Sequence, residues 1–176
     1  MSGGAFPWRD VILALVVLER LAEMRYARGN AEALRARGGI EVGAGHYPLL
    51  VALHVAWLAA LVLFVPRHAP IDLVMLALFA VLMAGRAWVL VTLGRSWTTR
   101  IVTIPGEPLV RHGPYRFLRH PNYLVVAGEI AVLPLVFGAW EIALLFTALN
   151  LPLLAWRIRI EDRALAERRA LPARDS

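Results

Sequence analysis

Apolar residues in this chain come in long blocks, not in the alternation of a half-buried strand or the stripe of a soluble amphipathic helix. Residues 49–65 carry one polar position, His54. Residues 71–93 are charged at Asp72, near the start, and at Arg86. Residues 123–137 are charged at Glu129, and 139–156 are interrupted by Glu141, Asn150 and Pro152. A further block, 6–24, is weaker because Glu19, Arg20 and Glu23 fall in its second half. A bilayer selects apolar runs of about 20 residues, so the pattern predicts five membrane helices. The turn at 66–70 and Gly138 are short enough to make helices 2 and 3 one hairpin and helices 4 and 5 a second. Residues 27–45 read as an arginine- and glycine-rich loop with a short helix over 31–37. From Arg157 onward the last helix runs on into a charged tail that ends near 171–172. The expectation is an all-α polytopic membrane protein of one domain, 1–176.

Composition sharpens the class. Hydrophobic residues make up 59% of the chain and the mean hydropathy is +0.60, too apolar for a single soluble core. The net charge of +6 comes entirely from arginine and is unevenly placed. Arg25, Arg28, Arg35 and Arg37 follow helix 1. Arg95, Arg100, Arg111, Arg116 and Arg119 follow helix 3, and Arg157, Arg159, Arg163, Arg168, Arg169 and Arg174 follow helix 5. The other side has only Arg9 and Arg67. With five spans, the basic segments all lie on one side, which predicts an outside N-terminus and a cytoplasmic C-terminus. This agreement, and the lack of a small-residue cleavage site, make the first block a span and not a cleaved leader. The basic face suits anionic lipid headgroups, and no soluble basic domain exists to carry nucleic acid. The absence of cysteine excludes disulfides and thiol chemistry, and the scattered histidines predict no metal.

Candidate chemistry concentrates in one segment. Residues 93–123 form the long polar stretch of the chain, with five arginines and two histidines. Loops longer than about 12–15 residues are uncommon and tend to be functional. It ends in Arg119-His120-Pro121-Asn122-Tyr123. Pro121 suits the first turn of helix 4, which puts Arg119 and His120 where backbone N–H groups favour an anion. The same residues would also serve as a basic cap at the lipid headgroups. Arg157 and Glu161 are four apart on one helical face, either as an ordinary ion pair or as partners of the Arg119–Tyr123 motif across the helix 4–5 hairpin. Arg86 and Glu129 lie at similar membrane depth, so they form either a structural pair or a substrate site. Glu19, Arg20 and Glu23 are placed to join them, whereas His54 and Asn150 are expected to bond between helices. Glu41-Val42-Gly43-Ala44-Gly45 has the look of a nucleotide-binding glycine turn but lacks the buried strand before it that such a turn needs.

LVRHGPYRFLRHPNY, followed by a helical hairpin and RIRIEDRAL, resembles the isoprenylcysteine carboxyl methyltransferase family. The matching positions are Leu109, Val110, Gly113, Tyr115, Arg119, His120, Pro121 and Tyr123, then Arg157, Glu161, Asp162 and Leu165. The family core would be 94–176. LERLAEMRYARGN and EVGAGHYPLLVALH look like a bacterial branch, similar to alkylpyrone O-methyltransferases linked to type III polyketide synthases. The resemblance implies an S-adenosylmethionine-dependent enzyme of a bacterial inner membrane, with its site facing the cytoplasm. Leu109, Val110, Tyr115, Arg119, His120, Pro121 and Tyr123 would bind that cofactor, and Arg157 and Glu161 would act on or orient the acceptor. The acceptor would be lipophilic or prenylated and enter sideways from the bilayer, with Ala127 and Gly128 leaving room for its tail. A phospholipid N-methyltransferase, a membrane reductase and a non-enzymatic membrane partner remain alternatives, and oligomeric state stays open.

Overall fold

A computed structural model describes residues 6–171; Arg174, counted in the tail's charge, lies outside them. Helix α1 is Trp8–Ala36, α2 is Tyr47–Phe64, α3 is Leu73–Leu93, α4 is Pro121–Val136, α5 is Trp140–Ala164 and α6 is the short Ala166–Arg169. Helices α3, α4 and α5 pack in series, and α2 lies against α5. α2 with its preceding turn, α3 and α5 are long and apolar enough to cross a membrane, whereas α4 is shorter and α1 is charged. Large apolar side chains face outward along them, among them Val55, Leu63, Val81, Val91, Leu144 and Leu149. Such a surface needs lipid around it. The core behind it joins Leu13 and Val16 of α1, Trp57 and Leu61 of α2, Phe79 of α3, Ile130 and Leu133 of α4, and Phe146 of α5.

Several local features differ from the sequence reading. Residues 27–36 are not a loop: α1 continues through them. Ala27, Ala31 and Leu34 recur at helical spacing and are buried, Ala27 against Val89 and Trp97. Asn30 then ties the helix down by donating to the Gly94 and Trp97 carbonyls at 3.1 and 2.9 Å. Asp72, a charge near the start of the third apolar block, lies just before α3 and caps it, accepting from the Val74 and Met75 N–H groups at 2.9 and 3.0 Å. The fold is also not wholly helical. Strand β1 (Ile40–Val42) pairs antiparallel with β2 (Ile101–Thr103), joining the first loop to the long polar segment. Arg100, at 2.5 Å, and Arg35 both bond Glu41 beside this pair and hold its carboxyl below the usual range against the opposing effect of burial. Gly128 leaves no room for an acceptor tail: a Cβ there would meet Leu82 at 2.8 Å, so the glycine lets α3 and α4 pack closely.

His54 bonds the Leu50 carbonyl of its own helix at 2.9 Å, not a neighbouring helix. Asn150 is fully buried, and neither amide atom has a partner among the described residues.

Candidate active site

Pro121 occupies the first turn of α4 and sets His120 just before it, as its fixed φ favours. One turn on, Tyr123 points across the hairpin to the end of α5. There it accepts from Arg157 Nε at 2.8 Å and donates to Glu161. Arg157 and Glu161 therefore do not pair directly as the i,i+4 spacing suggested; the Tyr123 hydroxyl stands between them. The His120 ring stacks on Tyr123 with centroids 5.4 Å apart. Its Nδ1 lies 3.7 Å from Glu161 and its Nε2 2.9 Å from Asp162. These two carboxylates, Glu161 foremost, raise the His120 pKa against the opposing effect of burial.

Arg157 is 8% exposed, and three of its five N–H groups are engaged. Besides Tyr123, it donates to the Thr99 carbonyl at 2.7 Å and faces His46 Nε2 at 3.4 Å. The other two N–H groups have no partner among the described residues and could meet a ligand oxygen.

These groups line a cavity of about 780 Å³, within the usual range for a cofactor-sized ligand. Leu109, Val110, Tyr115, Arg119, His120, Tyr123, Arg157 and Glu161 are in its wall, whereas Pro121 is not among the lining residues and starts α4. The sequence reading missed Trp97, Arg100, Ile101, Asn122, Arg168 and Arg169, which the wall also includes. The neighbouring RHP-x-Y run marks Asn122, but Trp97 and Ile101 reach the cavity only through contacts with α1 and β1. Burial pushes the Tyr115 phenol well above its ordinary pKa, so it stays neutral. The C-terminal segment closes one side. Arg168 donates to the Glu107 carbonyl at 2.6 Å and to Thr103 Oγ1 at 3.1 Å, and Arg111 donates to the Arg169 carbonyl at 2.6 Å.

S-adenosylmethionine fits this donor set. The arginines offer charge-assisted bonds to a carboxylate, and Leu109, Val110, Ile101 and Ile104 provide apolar walls. Trp97 Nε1 and Asn122 Oδ1, one donor and one acceptor, are buried in the wall without a partner among the described residues. Buried polar atoms are normally satisfied, so these two suit a polar ligand edge.

Arg86 and Glu129 are not in the cavity. Arg86 Nε donates to Glu129 Oε1 at 2.8 Å, its Nη2 reaches Oε2, and its Nη1 holds both oxygens of Glu23 at 3.1 and 2.9 Å. Arg20 bonds Glu23 at 3.0 Å and Glu129 at 3.2 Å, and pairs with Glu19 at 3.0 Å. The helix 1 charges thus join the pair, clasping α1, α3 and α4.

The family model described as "Isoprenylcysteine carboxyl methyltransferase (ICMT) family" matches residues 73–167. The chain is 37% identical over 161 residues to a Bacillus subtilis protein called "Uncharacterized protein YpbQ", covering 89% of this chain and 96% of that one. It is 27% identical over 165 residues to an "Uncharacterized protein" of Haemophilus influenzae, covering 89% of this chain and 94% of that one. No solved structure matches. The match spans α3, the polar segment, the hairpin and the first half of α6, including every residue of the Arg157–Tyr123–Glu161–His120 array, and the chain belongs to the isoprenylcysteine carboxyl methyltransferase family.

Proposed function

We propose that this protein is an S-adenosylmethionine-dependent methyltransferase acting on an oxygen of a lipophilic acceptor at the cytoplasmic face of a bacterial inner membrane. The observation that supports it most is the placing of two spare Arg157 N–H groups beside the Tyr123–Glu161–His120 array in one cofactor-sized cavity. The cavity lies at the arginine-rich end of the bundle, and the excess of positive charge there supports a cytoplasmic face.

When bound, the sulfonium donor supplies an electrophilic methyl group. Arg168, Arg169 and Arg111 are the groups to hold its carboxylate, Asn122 and Glu161 its hydroxyl and amine edges, and Leu109, Val110 and Trp97 its ring. Arg157 would steer the acceptor oxygen, which arrives as an anion, either a carboxylate of isoprenylcysteine type or an acidic enol of alkylpyrone type. An anion needs no base, only a cation to hold it about 3 Å from the methyl carbon. Tyr123 and Thr99 stop that cation from swinging away. The tail segment tied down by Arg168 keeps bulk water out.

Calorimetry of the detergent-purified protein with S-adenosylmethionine tests the reading. Micromolar binding, weakened at least tenfold in His120→Ala and Glu161→Ala, is expected. A folded wild type that binds none would leave the reductase or partner reading in its place.

A further inference from the structure

His46 is 3% exposed and belongs to the first half of the chain, outside the matched family region and outside the cavity wall. Its ring is held in place on three sides. Trp156 packs against it with centroids 5.9 Å apart. Arg157 Nη1 lies 3.4 Å from its Nε2. Gly43, in the left-handed region at φ 68°, carries the chain round it. A Cβ on Gly43 would meet Ile160 at 2.7 Å and the His46 ring at 3.1 Å, so only glycine lets this turn lie on α5 beside Arg157. The adjoining Tyr47 hydroxyl bonds Thr99 Oγ1 at 3.2 Å, and Thr99 supplies the carbonyl that Arg157 grips. The glycine run that resembles a nucleotide turn therefore forms a backstop behind Arg157.

An arginine has donors only, so a bond from Nη1 requires a lone pair on His46 Nε2 and places the ring's proton on Nδ1. Nδ1 is buried and has no partner among the described residues. The charged groups facing the ring are Arg157 and Glu161, both from α5. With Tyr123 and Thr99 already taking one N–H each, His46 completes a three-point hold that fixes the plane of the guanidinium and the direction of its two free N–H groups.

We propose that His46 is a positioning residue for Arg157, aiming it at the acceptor oxygen through a hydrogen bond accepted at Nε2. The role in catalysis rests on the proposed function; the hydrogen bond does not.

Two variants separate the bond from the packing. His46→Phe keeps the ring against Trp156 and removes the acceptor atom, and His46→Gln keeps an acceptor oxygen. Methyl transfer from S-adenosylmethionine to N-acetyl-S-farnesylcysteine and to a long-chain 4-hydroxy-2-pyrone is the readout. His46→Phe should lose about 10-fold or more in kcat/KM for the acceptor that turns over, the size of a misaimed orienting group. His46→Gln should recover most of it, and S-adenosylmethionine affinity should not change in either. In an Arg157→Met background, His46→Phe should cost nothing further. Equal losses in Phe and Gln variants, a full loss of cofactor affinity, or an additive double variant would each overturn the proposal. Nitrogen-15 spectra of histidine-labelled protein test the bond without turnover. The His46 signal, identified by its disappearance in His46→Gln, should show a single Nδ1–H tautomer that becomes mixed in Arg157→Met. An Nε2–H tautomer in the wild type would contradict it. A wild type that neither binds cofactor nor transfers methyl overturns the functional reading, and the spectra then decide the hydrogen bond alone.

Discussion

Two clusters inside this bundle are each built around a buried arginine, Arg86 in one and Arg157 in the other. In the cluster deeper in the bundle, Arg86 meets the carboxylates of Glu129 and Glu23, Arg20 binds the same two and Glu19, and neither Arg86 nor Glu129 lines the cavity. In the cluster at the arginine-rich end, Arg157 is bound by a phenol, a carbonyl and an imidazole, keeps two N–H groups without a partner among the described residues, and lines a cavity of about 780 Å³. Charge at depth is by itself no mark of a site. What separates a clasp from a site is whether the buried arginine is neutralised by carboxylates or is held by neutral groups at the wall of a cavity.

The largest effect should come from breaking the clasp. Arg86→Met leaves Glu129 and Glu23 buried with less compensation and should destabilise the protein by about 3–5 kcal/mol in reversible unfolding. Arg86→Met/Glu129→Met leaves Arg20 and Glu23 paired and should cost less than the single change. Additive losses would show that the two residues are not coupled.

Arg157→Lys should do the reverse. A lysine cannot span three partners and still present two fixed donors. Transfer should fall about 100-fold, the usual cost of one lost transition-state donor, with a much smaller change in melting temperature. A melting loss as large as that of Arg86→Met would erase the distinction between the clusters.

A smaller effect belongs to His120. Its folded pKa is raised, so the stability of its bridge to Glu161 and Asp162 is complete below about 6.5, its ordinary value. That contribution is lost as pH rises through the higher folded value. The wild type should therefore lose stability over this window relative to His120→Gln, by about 1 kcal/mol or less, since Asp162 is largely solvated. Parallel pH profiles of the two melting temperatures would contradict this. Least of all, the surface pair Arg37–Glu107, 2.5 Å apart, should contribute a few tenths of a kcal/mol at most when Arg37 is replaced by Ala.

Helix positions and the Arg119–Tyr123 and Arg157–Glu161 motifs were legible in the sequence because both rest on local spacing: apolar runs for the first, and adjacent ends of a short-looped hairpin for the second. The Arg86–Glu129 pair was legible for a related reason, since a charge at membrane depth needs a partner at equal depth. What escaped was non-local. Nothing local marks three-residue strands that pair residues about sixty positions apart. The arginines after Met24 suggested a loop, yet Ala27, Asn30, Ala31 and Leu34 continue the helix because Trp97 and the Gly94 carbonyl receive them. His46 and Thr99 come from separate loops, and only folding brings both against Arg157.

The most direct test follows the methyl group itself. Membranes holding the wild type or Arg157→Lys would be given tritiated S-adenosylmethionine with the farnesylcysteine or pyrone acceptor, and label counted in the organic extract. The account predicts label with the wild type and about a hundredth as much with the variant. Volatile methanol on alkali treatment would identify a carboxyl ester, and alkali-stable label an enol ether. Equal label from the two proteins, or none from a wild type that binds S-adenosylmethionine, would contradict the assignment of Arg157 to an acceptor oxygen.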